Sequence, residues 1–451
     1  MTTPKFPSLN SSQFLRGIRS IILPILLLSL ATLGFLAGCQ LQNLIPSFIS
    51  STQSPTIALE SATTSVPAET SITPTTQANV TTLVLWVPPE FDPNTGTHTA
   101  KIFKERIASF QQEHSNLVVE VRLKALDGRG GLLDSITTAS LAASKALPAL
   151  VALSTRDMEN AALKGLLLPL YNAYKNYEDP YWLPYASQLS LKQWSHYGVP
   201  FAGDVLVMAY RPLQSPYPPT TWQELALQDL IVTFPVADSD AITATTMYLT
   251  ACGKLKTETG APILQKTPLL KSFAILNDGT QTGAFPFWIA QFTTFDQSWS
   301  SFVGQQVGYS INCISQYLKN PTANISVTAV PKIGESQVTL AQWWSWCIPN
   351  QSSEQQQYSI LLMNYLSDAA FINTWNQAAG YVPVRKSGFE NWKGNVLAPV
   401  IIELTANAQA LPSSSITHIT SPILKDSMVE VIKLQTFYQQ VVEDAVNNFQ
   451  E

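Results

Sequence analysis

Thr82-Leu83-Val84-Leu85-Trp86-Val87 is a compact apolar run that Pro88-Pro89 brings to a stop. An apolar run of this length bounded by prolines predicts a buried strand. Downstream, Lys101 to Glu113 spaces Ile102, Phe103, Ile107 and Phe110 for one face of a helix. Leu117-Val118-Val119-Glu120-Val121 reads as a second strand, and Gly128, Gly130 and Gly131 as a turn. Leu132 to Ala146 is rich in small helix formers, and Leu150-Val151-Ala152-Leu153 is the third strand. Strand, helix, strand, helix, strand predicts an α/β protein built on a parallel sheet with helices on both faces. Ligands of such sheets bind beyond the carboxyl ends of the strands. That rule points to Glu90 and Phe91 after the first strand, and to Ser154, Thr155 and Arg156 after the third.

Upstream, Lys5, Arg16 and Arg19 precede the apolar run Ile21 to Phe35, which contains Pro24. A positive flank before a short apolar core is the layout of an export signal, and the run falls short of the about 20 residues a spanning helix needs. It ends in Leu36-Ala37-Gly38-Cys39, which is similar to a bacterial lipobox. That resemblance implies removal of residues 1–38 and lipidation of Cys39; an uncleaved anchor helix is the alternative. Residues 51–80 hold thirteen Ser or Thr and no Lys or Arg, with Pro55, Pro67 and Pro74 interspersed. Such a composition cannot bury a core, so 39–79 reads as a lipidated tether that lets a folded body stand off the bilayer.

Across the 451 residues, 26 basic side chains face 31 acidic ones, which leaves no basic footprint for nucleic acid. Four histidines and four cysteines offer little for a metal site, and neither a metal nor a cofactor is expected. Gly128-Arg129-Gly130-Gly131 lacks the Gly-Lys-Ser/Thr ending of a phosphate loop. No Gly-x-Ser-x-Gly elbow occurs, and His98, His114, His196 and His418 stand singly. Paired carboxylates for glycoside hydrolysis have a spacing that only three dimensions reveal. Nothing in the chain demands catalysis, and a binding protein is the reading adopted.

Leu147-Pro148-Ala149-Leu150-Val151-Ala152-Leu153, followed by Ala161-Ala162 and Gly165 to Leu170, resembles the family 1 extracellular solute-binding proteins of ABC importers. Tyr197-Gly198-Val199-Pro200-Phe201, Tyr210-Arg211 and Pro219 to Leu225 continue the resemblance. So do Gly308-Tyr309-Ser310-Ile311-Asn312, Val327 to Pro331, Trp343-Trp344-Ser345-Trp346 and Ala379-Gly380-Tyr381-Val382-Pro383-Val384, in the family's order. The match covers essentially residues 80–451. It departs from the family at Pro148-Ala149, where Pro-Asp is usual, and after Asn312, where a Gly-x-Trp element is replaced by Cys313-Ile314-Ser315.

The resemblance implies a two-lobed type II periplasmic-binding-protein fold with a hinge between the lobes. Lobe one would take 80–203 and 338–382, and lobe two 204–337 and 383–451. Gly203 would absorb backbone rotation at the crossing. The implied function is capture of a small solute, a carbohydrate first, for the permease subunits of an importer. The runner-up is a sensory or adhesive surface lipoprotein of the same fold. A monomer tied to the membrane through Cys39 is expected.

A sugar shows hydroxyls at its edge and C–H on its flat faces, so aromatic rings and charged hydrogen-bonding groups recognise it together. The resemblance puts Glu90, Phe91, Thr155 and Arg156 at the ligand on lobe one, with Asp204 at the hinge and Tyr381 before Pro383. Neighbours on a strand face opposite ways, so Trp343, Trp344 and Trp346 cannot all line a cleft; by family position the resemblance makes Trp343 or Trp344 the cleft candidate. Trp346 and Trp86 read as core, and Trp222 as a surface residue at a helix start. Asp240, with Asp238, reaches the cleft from lobe two or else begins a helix. Arg385 pairs with a lobe-two carboxylate. Cys39 is taken by lipid; of Cys252, Cys313 and Cys347, the resemblance favours a Cys313–Cys347 pair if any forms, and three buried free thiols otherwise.

Overall fold

The computed structural model describes residues 80–142, 144–170, 182–187, 197–304 and 307–450. The leader, Cys39 and the tether lie outside the described residues. β1 (Thr81–Val87) pairs in parallel with β2 (Leu117–Leu123) on one side and β3 (Leu150–Ser154) on the other. The helix between β1 and β2, His98–Glu113, starts at Thr97, whose hydroxyl accepts from Ala100 N, and buries Phe103, Ile107 and Phe110. The helical stretch after the glycine turn divides into Leu132–Ala142 and a short 3-10 turn, Ser144–Ala146.

Beyond β3 the sheet changes direction. β8 (Thr339–Cys347) runs antiparallel to β3, and β4 (Val199–Tyr210) runs antiparallel to β8. β4 then changes partners along its length. Val199 to Val205 pair with β8, whereas Leu206 to Tyr210 pair with β6 (Tyr309–Cys313), and Val207 to Tyr210 also with β7 (Ser326–Ala329). β5 (Val232–Thr233) continues parallel to β6, and β9 (Ala408–Ala410) joins β8 at Thr339–Ala341. The path β2-β1-β3-β8-β4-β6-β5 therefore runs through two strands, β4 and β8, that belong to both ends.

Two hydrophobic cores flank this crossing. The first gathers Leu85, Phe103, Phe110, Leu150, Leu153, Trp346 and Leu362; the second gathers Trp222, Phe234, Met247, Phe273, Phe285, Tyr309 and Val442. Along β4, Val205, Val207 and Ala209 join the first core while Leu206 and Met208 join the second, the two-residue alternation of a strand. Pro383–Ala408, expected in lobe two, contributes Val384, Trp392, Ile401 and Leu404 to the first core. Trp222, read as a surface residue, is fully buried against Phe234 and Phe285. Its helix, Trp222–Ala226, begins in a capping box between Thr221 and Glu224, so the indole lies beneath the helix start rather than on its outside.

Gly203 sits at the crossing for a different reason from the one expected. It exchanges both backbone hydrogen bonds with Val382, at 3.0 and 2.9 Å. A Cβ there would strike the Tyr185 hydroxyl and come within 3.0 Å of the Val382 carbonyl. Close approach, not rotational freedom, demands the glycine. Cys252, Cys313 and Cys347 are free thiols, and Cys252 is exposed rather than buried. Among the described residues, no helix is long and apolar enough to cross a membrane.

Candidate functional site

β1 ends at Pro88 because proline cannot donate to the ladder, and the chain turns through Pro89–Phe91. The turn sends Phe91 inward and leaves Glu90 outward. Phe91 meets four rings edge-on: Trp344 at 5.1 Å, Trp375 at 5.2 Å, Phe201 at 5.7 Å and Tyr381 at 6.0 Å. Tyr381 stacks on Trp375, with 11° between the ring planes. Its hydroxyl donates to Glu90 Oε2 at 2.8 Å. Burial, reinforced by the neighbouring Glu90 and Asp204 carboxylates, holds the Tyr381 phenol well above its usual range, so it remains a donor.

Lys319 completes this group. It ends the helix Ile314–Lys319 that follows β6. Its Nζ lies 3.1 Å from Glu90 Oε2 and 5.1 Å from the centre of the Tyr381 ring. Sequence reasoning missed it; the available signal was a lysine in the last turn of a helix directly after a strand. Trp344 faces this group and is half-buried, whereas Trp343 points to the opposite side and is fully buried against Tyr185. Of the expected site residues, Glu90, Phe91, Trp344 and Tyr381 thus come together.

A second pair forms after β3. Ser154 caps the helix Thr155–Leu163, accepting from Asp157 N at 3.2 Å. Arg156, in the first turn, forms an ion pair with Asp240. Asp240 rides on a turn fixed by Asp238, whose carboxylate accepts from the backbone N–H of Asp240 at 3.1 Å and of Ile242 at 3.0 Å. Burial raises the Asp238 carboxyl to about 6. Ala241 takes a left-handed φ of 51° to close the turn, a strained choice for a residue with a Cβ. The helix Ser414–Ile432 supports the turn from behind, through Ser421 Oγ donating to the Asp240 carbonyl at 2.8 Å. The same helix meets Glu159, which accepts from Ser414 N and Oγ at 2.6 and 2.7 Å. Arg156 and Asp240 line a narrow space of about 20 Å³ between these two helices, and Arg156 also faces an open cavity of about 300 Å³ beside it.

Three expected site residues, all buried, join neither group. Thr155 spends its hydroxyl on the Trp343 backbone, and Trp343 is core. Asp204, on β4, is buried; its carboxylate accepts from Ser315 N at 3.1 Å and from the Ser315 hydroxyl. Burial lifts Asp204 to about 6 against the lowering effect of those bonds. Asp204 thereby fixes the first turn of the helix whose last residue is Lys319, so it acts on the outward group through one intermediate helix. Arg385 lies 4.3 Å from the centre of the Trp182 ring.

Two groups therefore stand at the ends of β1 and β3: a partly exposed indole, carboxylate and ammonium over the buried Phe91 and Tyr381, and a guanidinium–carboxylate pair. The profile of the bacterial extracellular solute-binding protein family matches residues 105–398, and the chain belongs to that family. Its place is accordingly outside the cytoplasm, and its family is one of binding proteins.

No curated protein matches the sequence at a significant level. Solved structures share the fold at low identity. Maltose-bound MalE3 of T. maritima is 13% identical, covering 82% of this chain and 99% of that one, with a TM-score of 0.67. The GacH receptor of Streptomyces glaucescens, seen unliganded and with acarbose, is 15% identical over 82% and 97%, at 0.66. The maltose-maltodextrin binding protein of Alicyclobacillus acidocaldarius is 14% identical over 82% and 100%, at 0.65. The fold is thus the two-lobed α/β fold of periplasmic binding proteins, with β4 and β8 as the connecting strands.

Proposed function

We propose that this protein captures a small carbohydrate between its lobes and hands it to the permease subunits of an ABC importer. The observation that carries the reading is Trp344 standing half-buried beside the Glu90–Tyr381–Lys319 group. An indole face covers the C–H side of a pyranose, while the carboxylate and ammonium address its hydroxyls. The structural relatives support it, since those named above were solved with, or are named for, maltose, acarbose or maltodextrin. In this reading ligand contacts from both lobes favour the closed state over the open one, and the solute leaves chemically unchanged. Cys39 carries the lipid, 39–79 is the tether, and the body works as a monomer.

The test is a thermal-shift screen of the full chain against maltose, maltotriose, acarbose, polyols, amino acids and polyamines. A ligand at about 100 times its Kd adds about 2.7 kcal/mol of stability. A shift with the sugars supports the proposal. A shift with polyamines or amino acids alone, or none at all, overturns the carbohydrate assignment.

A further inference from the structure

Glu90 and Arg156 lie in the segments after β1 and β3, at the parallel end of the sheet. Their partners come from the other end. Lys319 closes the helix Ile314–Lys319 after β6, and Asp240 lies between β5 and the helix Ile242–Thr250. The ion pairs Glu90–Lys319 and Arg156–Asp240 therefore both cross from one end of the sheet path to the other, and so from lobe to lobe. Every partner belongs to the chain itself, so the pairs form without a ligand. The four side chains are 25% to 35% exposed, which leaves them within reach of dissolved ions.

The backbone is shaped to bring the first pair together. Gly380 ends the helix Ala369–Ala379 with a left-handed φ of 74°, one residue before Tyr381. A Cβ there would lie 2.7 Å from Lys319 N and 2.9 Å from the Leu318 carbonyl carbon. Glycine thus lets two main chains touch, which sets Lys319 over Tyr381 and beside Glu90. The second pair closes a gap. Arg156 and Asp240 line a space of only about 20 Å³ between the helices Thr155–Leu163 and Ser414–Ile432. That is room for about one water molecule, so no sugar ring enters while the pair holds. Glu159 bridges the same gap by accepting from Ser414.

We propose that the two pairs form an autoinhibitory latch, in which Lys319 and Asp240 of one lobe occupy Glu90 and Arg156 of the other until a solute displaces them. The proposal takes its ligand from the carbohydrate reading above. It adds that the resting protein is held closed by its own charges, so that ionic strength governs how fast a solute enters.

The contacts are read with a carbodiimide, which joins a carboxylate to an amine only where the two already touch. In low salt the ligand-free full chain is expected to give a Glu90–Lys319 cross-link by mass spectrometry. Arg156→Lys should add a second, from position 156 to Asp240. Both should fade in 1 M NaCl, where the screening length is about 3 Å. Association of maltotriose is then timed by stopped-flow tryptophan fluorescence. A neutral sugar has no charge to be steered, so salt acts on the charges of the protein. Association is expected to be about threefold to tenfold faster in 1 M NaCl, the scale of two partly exposed pairs. Lys319→Gln combined with Asp240→Asn should associate at the fast rate in low salt and respond no further. Absence of either cross-link in low salt overturns the latch. So does a natural association rate indifferent to salt, or a double variant that salt still accelerates. If both cross-links form and fade as expected but no sugar binds, the latch stands and the carbohydrate reading falls.

Discussion

One hydroxyl, that of Thr155, serves both backbone polar groups of Trp343: it donates to the carbonyl and accepts from the N–H, each at 2.9 Å. The bond pair locks the register of β8 against the end of β3, where Ser154 already faces Trp344. Two adjacent tryptophans are thereby committed to opposite sides of one strand. Their substitutions should separate cleanly. Trp343→Ala is expected to cost about 3–5 kcal/mol of stability as a core truncation, read by urea unfolding. Trp344→Ala should leave unfolding nearly unchanged and abolish measurable sugar binding. Equal unfolding costs at the two positions would contradict the assignment of sides.

The Gly203–Tyr185 approach makes a coupled prediction. Gly203→Ala should destabilise by about 1–3 kcal/mol through overpacking. Tyr185→Phe should cost about 1–3 kcal/mol by leaving the Pro383 carbonyl without its donor. With the hydroxyl gone, the new methyl meets less obstruction, so the double variant should lose less than the two costs added together. Strict additivity in the urea midpoints would show that the two sites do not touch.

Asp157, Asp204 and Asp238 are all raised by burial to about 6 from 3.8. A carboxyl that is harder to ionise when folded keeps its proton in the native state while the unfolded chain has lost it. Its contribution therefore favours folding below 3.8 and is lost as pH rises toward 6, the reverse of a salt-bridged carboxylate. Asp204→Asn should remove one such cost, on the order of 3 kcal/mol, at pH 7.5. Melting temperatures across pH 4–8 should show the variant gaining on the natural chain as pH rises through that window. A constant offset at every pH would mean that Asp204 does not titrate there.

Lys319 and Glu90 are each about a third exposed, so their pair behaves largely as a surface ion pair. Lys319→Ala should cost no more than about 1 kcal/mol in low salt. In 1 M NaCl, where the screening length is about 3 Å, the difference should vanish. A cost that survives high salt would trace instead to the lysine methylenes packed over Tyr381.

The first three strands and their helices were legible because each is written in a local pattern. The run at Thr82–Val87 needed only its apolar content and the prolines after it, and the structure extends it by one residue. Glu90 and Arg156 were pointed to by the rule that loops after parallel strands meet ligands, and Asp240 by its loop of two carboxylates. Their partners were not: Lys319 lies far from Glu90 in sequence, and nothing local announces that its helix is seated by Asp204. Trp222 was misjudged because a helix start is usually exposed, and only Phe234 and Phe285 beneath it explain its burial. The side taken by Pro383–Ala408 was equally hidden, since chain order at a double crossing does not say with which core a segment packs.

The position of β8 bears on how the chain comes to be folded at all. Of the strands β1 to β4 and β8, it is the last to be synthesised, yet it lies between β3 and β4. Until Cys347 has been made, β3 and β4 each present an open edge toward the missing strand, and the first core lacks Trp343 and Trp346. Pairing across so long a separation is slow, because loop closure precedes any gain from contact. Strand order alone therefore makes completion of the central sheet wait for one of its later strands.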